Sequence, residues 1–314
     1  MALHSGSEKC ETDRTGGTRW TCVIRPTRTK RVRIMGHTIT ERTYLSDSVV
    51  KTVVEAPEIA RKRRAGQFVI VMIDDHAERI PLTIVDSDSD TAAGTITIIY
   101  QVVGRSTADL AELVPGDAIG HILGPLGRPT EIEHIGTAVC VGGGVGIGVL
   151  YPIASALKAA GTEVIAVLGA RTHVLLILEE ETRRVADELY VTTDDGSYGR
   201  HGFVTDVLTD LIASGRRIDR VFAIGPVPMM KAVSGVTRPY ELATVVSLNP
   251  IMVDGTGMCG GCRVSVGGHA KFACVDGPEF DGHQVDFDLL SKRLRAYVPQ
   301  ERRAMERAGR RTRV

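Results

Sequence analysis

The sequence predicts a β-barrel joined to an α/β domain, with a small cysteine-bearing lobe after both. Three observations carry this. Short β-branched runs separated by turns fill residues 38–130. Strand and helix patterns alternate through residues 134–248. A glycine-rich stretch holding three cysteines follows from residue 249. Closely spaced β-branched strands indicate a small antiparallel barrel, and repeated β-α-β units indicate a doubly wound parallel sheet. A chain of 314 residues has room for two to three domains. The expected boundaries are a disordered basic extension over 1–36, the barrel over 37–132, the α/β domain over 133–248, the lobe over 249–290 and a frayed basic tail over 291–314.

The extension contains Arg25, Arg28, Lys30, Arg31 and Arg33 with no periodicity, a composition that buries no core. Strands are expected over 68–73, 81–85 and 94–103, and a short helix over 106–114 ended by Gly116 and Asp117. In the second domain the expected strands are 138–141, 164–168, 190–193, 221–224 and 243–246. The expected helices are 149–160, 175–189 and 204–214, the first and last ended by Gly161 and Gly215.

Lys plus Arg and Asp plus Glu both number 38, so no charge excess favours a nucleic-acid or membrane surface. Aromatic residues make up 4% of the chain, too few for a base-stacking platform. Cys10, Cys22 and Cys140 are scattered and the other three cysteines clustered, which fits a reducing cytoplasm better than a disulfide scaffold. The N-terminus has no apolar signal core. Gly136 to Leu157 is uncharged and long enough to span a bilayer, but its glycines and Pro152 fit a buried strand, a glycine turn and a helix better.

Five motifs could carry chemistry. Gly142, Gly143, Gly144, Val145 and Gly146 join a strand to a helix, where backbone N–H groups and the helix dipole favour phosphate. The strict G-x-G-x-x-G fingerprint is not met, since Ile147 holds its sixth place. A structural turn and a different nucleotide loop both remain. Arg79-Ile80-Pro81-Leu82-Thr83 offers a bidentate phosphate donor beside a hydroxyl, or simply a surface arginine. Gly225, Pro226 and Met229 lie past one strand and Asp194 past another, at the sheet edge where ligands bind. Each of these also reads as a plain turn.

The fifth motif is the most specific. Cys259 and Cys262 form a C-x2-C pair, Cys274 follows twelve residues later, and Asp254 stands where plant-type iron–sulfur spacing has its first cysteine. Zinc would need a fourth ligand, from His269 or His283. Asp254 also suits a turn in which a carboxylate caps backbone amides.

Taken in order, these motifs resemble the ferredoxin–NADP reductase superfamily over Thr38 to Pro299. Within it they are similar to small electron-transfer subunits with a C-terminal [2Fe–2S] domain. One such group is the sulfide dehydrogenase or NADH-dependent reduced-ferredoxin:NADP oxidoreductase type. The other is the electron-transfer subunit of dihydroorotate dehydrogenase. The resemblance implies FAD at Arg79, Pro81, Leu82 and Thr83, with its pyrophosphate at Gly104, Ser106 and Thr107. It implies NAD(P)H at Gly142 to Gly146, Asp194, Gly225, Pro226 and Met229, and a [2Fe–2S] cluster on Asp254, Cys259, Cys262 and Cys274. Aspartate at position 254 resembles the first group, and cysteine there the second. The implied activity is electron transfer between NAD(P)H, FAD and the cluster, to or from a larger flavin and iron–sulfur subunit in a heterodimer. Ferredoxin would be served through that partner, and neither membrane nor nucleic acid is a partner. The alternative is service to an NAD-dependent dihydroorotate dehydrogenase.

Overall fold

Strand β1 (His37–Tyr44) opens a seven-stranded antiparallel sheet in a computed structural model that describes residues 36–91 and 93–309. Cys10, Cys22 and the expected extension up to residue 35 lie outside the described residues. The sheet continues with β2 (Val49–Glu55), helix α1 (Pro57–Lys62), β3 (Phe68–Met72), β4 (Ile80–Asp88), β5 (Thr95–Gln101), helix α2 (Arg105–Glu112), β6 (Ala118–Ile119) and β7 (His121–Leu126). Its order is β6-β1-β2-β5-β4-β3-β7. Alternation places Val50, Val54, Val69, Val71, Ile84, Ile96 and Ile98 on the inner face, where they close over Leu110 and Leu113.

The second sheet comprises β8 (Thr137–Gly143), β9 (Glu163–Ala170), β10 (Glu188–Thr193), β11 (Arg200–His201), β12 (Arg220–Ile224) and β13 (Thr244–Ser247). Between them run α3 (Gly146–Ala159), α4 (Glu179–Val185), α5 (Val204–Ala213) and α6 (Val227–Thr237). Every residue of β8 is buried, as a parallel strand covered on both faces requires. Ala138 and Cys140 face the core that α3 closes. Val139 and Val141 face the core that α5 and α6 close.

The cysteine segment is stitched into this sheet. A hairpin of β14 (Arg263–Val266) and β15 (His269–Phe272) turns on Gly267 and Gly268, at φ +58 and +77. Helix α7 (Ala273–Asp276) follows. Strand β16 (Glu279–Asp281) then pairs antiparallel with β13 and ends the order β11-β10-β9-β8-β12-β13-β16. Barrel and sheet also share a core, in which Val85 and Ile99 join Ile147 and Leu150 of α3. No helix among the described residues is long and apolar enough to cross a membrane.

Three expectations need correction. The helix expected over 175–189 is only α4, because Leu178 takes a left-handed φ of 53 and three glutamates then start a new helix. Helix α3 begins at Gly146 rather than 149 and continues through Pro152. The expected tail is helical up to residue 307, as α8 (Phe287–Leu294) and α9 (Val298–Arg307). Asp286 caps α8 by accepting from the Leu289 N–H at 2.8 Å, and Met305 of α9 is buried, with α9 against α2.

Candidate functional site

The flavin-like motif occupies the start of β4. Pro81, Leu82 and Thr83 pair with Ile70, Val69 and Phe68 of β3, while Arg79 is exposed just ahead of the strand. No carboxylate pairs with Arg79 among the described residues. Gly104 caps α2, and the Thr107 hydroxyl accepts from the Val103 and Gly104 N–H groups at 3.1 and 3.2 Å. Ser106 Oγ donates to Glu78 Oε2 at 2.5 Å. The segment before β4 and the N-terminus of α2 therefore meet around one hollow of about 170 Å³, lined by Val71, Ile80, Arg105 and Ser106 among others. Glu78 and Asp109 line the hollow as well and Arg79 does not, so the feature that favours a phosphate here is the start of helix α2.

The second group converges at the carboxyl edge of the parallel sheet. Gly142 and Gly143 end β8, and Gly142 pairs with Ile224 of β12. Gly144 turns at φ +55, with its N–H on the Gly169 carbonyl at 2.9 Å. Beyond Val145, Gly146 opens α3. A Cβ at Gly146 would stand 2.5 Å from the Ile224 oxygen and 2.7 Å from Gly225 Cα. A Cβ at Gly143 would stand 2.4 Å from Met229 Sδ and 3.2 Å from Pro226. Two motifs distant in sequence are thus one wall. Asp194 is exposed at the end of β10, on the same edge but two strands from β8, about 10 Å away at the usual strand spacing.

The third group is the cysteine loop. Gly255, Gly257 and Gly260 take φ of +75, +88 and +66, which lets the chain curl with its N–H groups inward. Asp254 Oδ1 accepts from the Thr256 N–H at 2.8 Å and Oδ2 from the Cys259 N–H at 2.6 Å. These bonds, Thr256 first, hold its carboxyl below the ordinary range. Cys259 is exposed, and its sulfur accepts from the Gly261 N–H at 3.4 Å. Cys262 and Cys274 are buried, with their sulfurs 3.2 Å apart. Desolvation first, then contact with Cys262, pushes the Cys274 thiol up.

Cys262 and Cys274 thus present two sulfurs side by side, while Asp254 meets Cys259 at that residue's backbone N–H. Among the described residues no three His, Cys, Asp or Glu side chains converge on a single metal position. One four-coordinate zinc ion would need four donors around one centre. A dinuclear cluster, in which each iron takes two protein ligands, would need only pairs of donors such as Cys262 with Cys274. His283, one of the two histidines considered for zinc, is engaged elsewhere, its Nε2 at 2.9 Å from the Thr237 hydroxyl.

The first and third groups are contiguous. A Cβ at Gly255 would touch Leu126 and Ile70 of the barrel, at 2.5 and 2.9 Å. Ile70 in turn pairs with Pro81. Sequence reasoning located the three motifs but not this seam, because Ile70 reads only as part of an apolar strand.

A reductase-type barrel and nucleotide sheet carrying a paired thiolate loop define an electron-transfer oxidoreductase subunit. Residues 249–286 match the iron–sulfur cluster binding domain of dihydroorotate dehydrogenase B. The chain belongs to the family of dihydroorotate dehydrogenase B electron-transfer subunits and their homologues. It is 46% identical over 269 residues, covering 86% of this chain and 94% of the relative, to the electron-transfer subunit homolog of Thermotoga maritima. It is 37% identical over 256 residues, 79% of this chain and 94% of the relative, to the dihydroorotate dehydrogenase B (NAD(+)) electron-transfer subunit of Bacillus caldolyticus. Among solved structures, a chain of NADH-dependent reduced ferredoxin–NADP oxidoreductase superposes with a TM-score of 0.82 at 45% identity, covering 87% of this chain and 98% of that one. A cytochrome P450 reductase of Amycolatopsis shares the fold at a TM-score of 0.54 and 21% identity, over 66% of each chain.

Proposed function

We propose that this chain passes electrons between NAD(P)H, FAD and a [2Fe–2S] cluster, to or from a larger flavin and iron–sulfur subunit in the cytoplasm. The observation that carries this reading is the seam from Pro81 through Ile70 to Gly255, which sets the flavin motif one strand from the cluster loop. Bound there, a flavin supplies the conversion between two-electron and one-electron chemistry. The chain's own part is to bind, orient and exclude water. Arg79 and the amides of the first turn of α2, beyond Gly104, receive phosphate. The wall of Gly143, Gly146, Gly225 and Met229 brings backbone close to a dinucleotide. Thr83 offers a hydroxyl at the flavin face of β4. Anaerobic purification with iron, sulfide and flavin counting tests the reading. It expects two irons, two sulfides and one FAD per chain, and zinc without iron would overturn it.

The ferredoxin–NADP oxidoreductase type is favoured over service to dihydroorotate oxidation. Identity to that solved chain is 45%, against 37% to the Bacillus caldolyticus subunit, but the Thermotoga maritima homolog named for the dihydroorotate enzyme stands at 46%, so the preference rests on the fit to the solved chain and on Asp254 rather than on identity. Asp254 bears on the same choice. With Asp254 on one iron, Asp254→Cys should retain the cluster and move its potential and EPR signal. An unchanged spectrum would restrict Asp254 to holding the loop through the Thr256 and Cys259 amides.

The exit toward the larger subunit lies where Cys259 is exposed. Met258 is 88% exposed beside it, flanked by Val253 and Val275, each 44% exposed. An apolar rim around an exposed ligand suits a close, water-excluding contact with another redox protein. Met258→Glu should weaken association with the larger subunit about tenfold or more, the equivalent of about 1.4 kcal/mol, without changing iron content. Equal affinity in a binding titration would move the docking face elsewhere.

A further inference from the structure

Glu279 is a carboxyl that the electron-transfer reading leaves without a task. It lies on β16, paired with Ser247 of β13, and is only partly exposed. Its Oε1 accepts from the Thr130 hydroxyl at 2.6 Å, across 149 residues of sequence. A Cβ on Gly66, just ahead of β3, would stand 2.3 Å from Thr130 Oγ1 and 2.8 Å from Glu279 Oε1. The carboxyl therefore fills the joint between the barrel and the strand that follows the cysteine loop. The joint is fastened around it by backbone bonds, Thr130 N–H to Ala65 O at 2.9 Å and Arg128 N–H to Gly277 O at 2.7 Å.

No cation pairs with this carboxyl among the described residues. Arg128, on the segment leading to Thr130, reaches toward Asp276 at 3.9 Å, and the exposed Arg64 precedes Gly66 with no ion pair among the described residues. Asp281, on the same strand, accepts from the His283 N–H and Gln284 Nε2. Glu131 is the charged neighbour that acts on Glu279, and it is also an acid. Desolvation, opposed by the Thr130 hydroxyl and reinforced by Glu131, raises the Glu279 carboxyl to about 7. Strand β3 links the joint to the redox motifs. Two residues beyond Gly66, Phe68 pairs with Thr83; further along, Ile70 pairs with Pro81 and supports Gly255.

We propose that Glu279 is a redox-linked proton site: its carboxylate accepts a proton from solvent when the redox group at the motifs that β3 joins to it gains an electron, and returns it on reoxidation. The inference rests on the function proposed above. The electron comes from NAD(P)H, the proton adds to a carboxylate oxygen of Glu279 to form one O–H bond, and no other bond breaks. An added negative charge in a poorly solvated interior favours the neutral acid, and the uncompensated carboxylate is the group placed to answer it.

The test uses the full chain, anaerobically purified, with Glu279→Gln and Thr130→Val. Infrared titration should show one carboxyl of the wild type protonating near pH 7 and missing from E279Q, whatever the cofactor content. In EPR-monitored redox titrations the wild-type cluster potential should fall as pH rises above about 7, and that of E279Q should stay flat. T130V, which loses the donor that favours the ionised form, should shift the falling segment to higher pH. An E279Q potential with the wild-type slope, or no carboxyl titrating near neutrality, overturns the proposal. A chain that carries no iron while the Glu279 carboxyl still titrates near 7 overturns the cofactor reading, and the linkage with it.

Discussion

Cys262→Ser is expected to remove the iron while leaving flavin binding and nucleotide oxidation in place. Cys262 is 1% exposed, 3.2 Å from the Cys274 sulfur, and the Cys274 N–H points to its sulfur at 3.5 Å. Serine keeps the size but loses the soft thiolate that iron–sulfur centres require. Of the other donors, His283 is tied to Thr237 and Asp254 to the Thr256 and Cys259 amides. The Ile70 and Leu126 floor under Gly255 is untouched, so the barrel keeps its fold. The variant should lose nearly all iron by chemical assay. It should also lose nearly all one-electron transfer to cytochrome or ferredoxin, while NAD(P)H oxidation with a two-electron acceptor stays within about twofold. Simultaneous loss of FAD would show that the lobe holds up the barrel, and full iron content would remove Cys262 from the ligand set.

The second large effect is expected from Gly146→Ala. Gly146 has an ordinary helical conformation, so strain at φ plays no part. The obstacle is backbone, with the Ile224 oxygen 2.5 Å and Gly225 Cα 2.7 Å from the added methyl. A side chain could swing aside, but a β-strand carbonyl moves only with its strand. Overpacking of this kind costs about 1–3 kcal/mol. Here that displacement would push apart the two glycine motifs facing the nucleotide. NAD(P)H affinity should fall about tenfold to a hundredfold, with iron and flavin content unchanged. Gly148→Ala is the control, since its Cβ would meet Ile99 only at 3.5 Å, an ordinary contact. Equal affinities for the two variants would mean that closeness at Gly146 serves packing alone.

Glu279 also gives the fold a pH dependence of definite sign. Its folded-state value of about 7 lies above the ordinary 4.5, so the neutral acid is the form the fold prefers. Its contribution is fully present below about pH 4.5 and is lost as pH rises through about 7. Glu279→Gln should therefore flatten the thermal midpoint between pH 5 and 8. A midpoint that falls as steeply as in the wild type would assign the dependence to other groups.

Much of the architecture was legible because its signals are local. The apolar run at 68–73 and the β-branched run at 94–103 can only be strands, and the glycines at 142–146 mark a strand-to-helix turn. Helix 175–189 misread because an apolar run, Leu175 to Ile177, preceded the glutamates of α4 without periodicity. The tail misread because α9 is charged, has no side-chain cap and buries only Met305, so no apolar stripe announces it. Of the site, the cysteine and glycine motifs were visible as chemistry. The seam through Ile70 and the joint at Glu279 were not, since each depends on strands brought together from more than 140 residues apart.

The most direct test is freeze-quench EPR of the isolated chain mixed anaerobically with NADH or NADPH. The seam from β4 through β3 to the cysteine loop predicts bleaching of the flavin absorption together with a reduced-cluster signal, and C262S should bleach without that signal. A cluster that dithionite reduces but neither nucleotide does would contradict electron transfer along this chain.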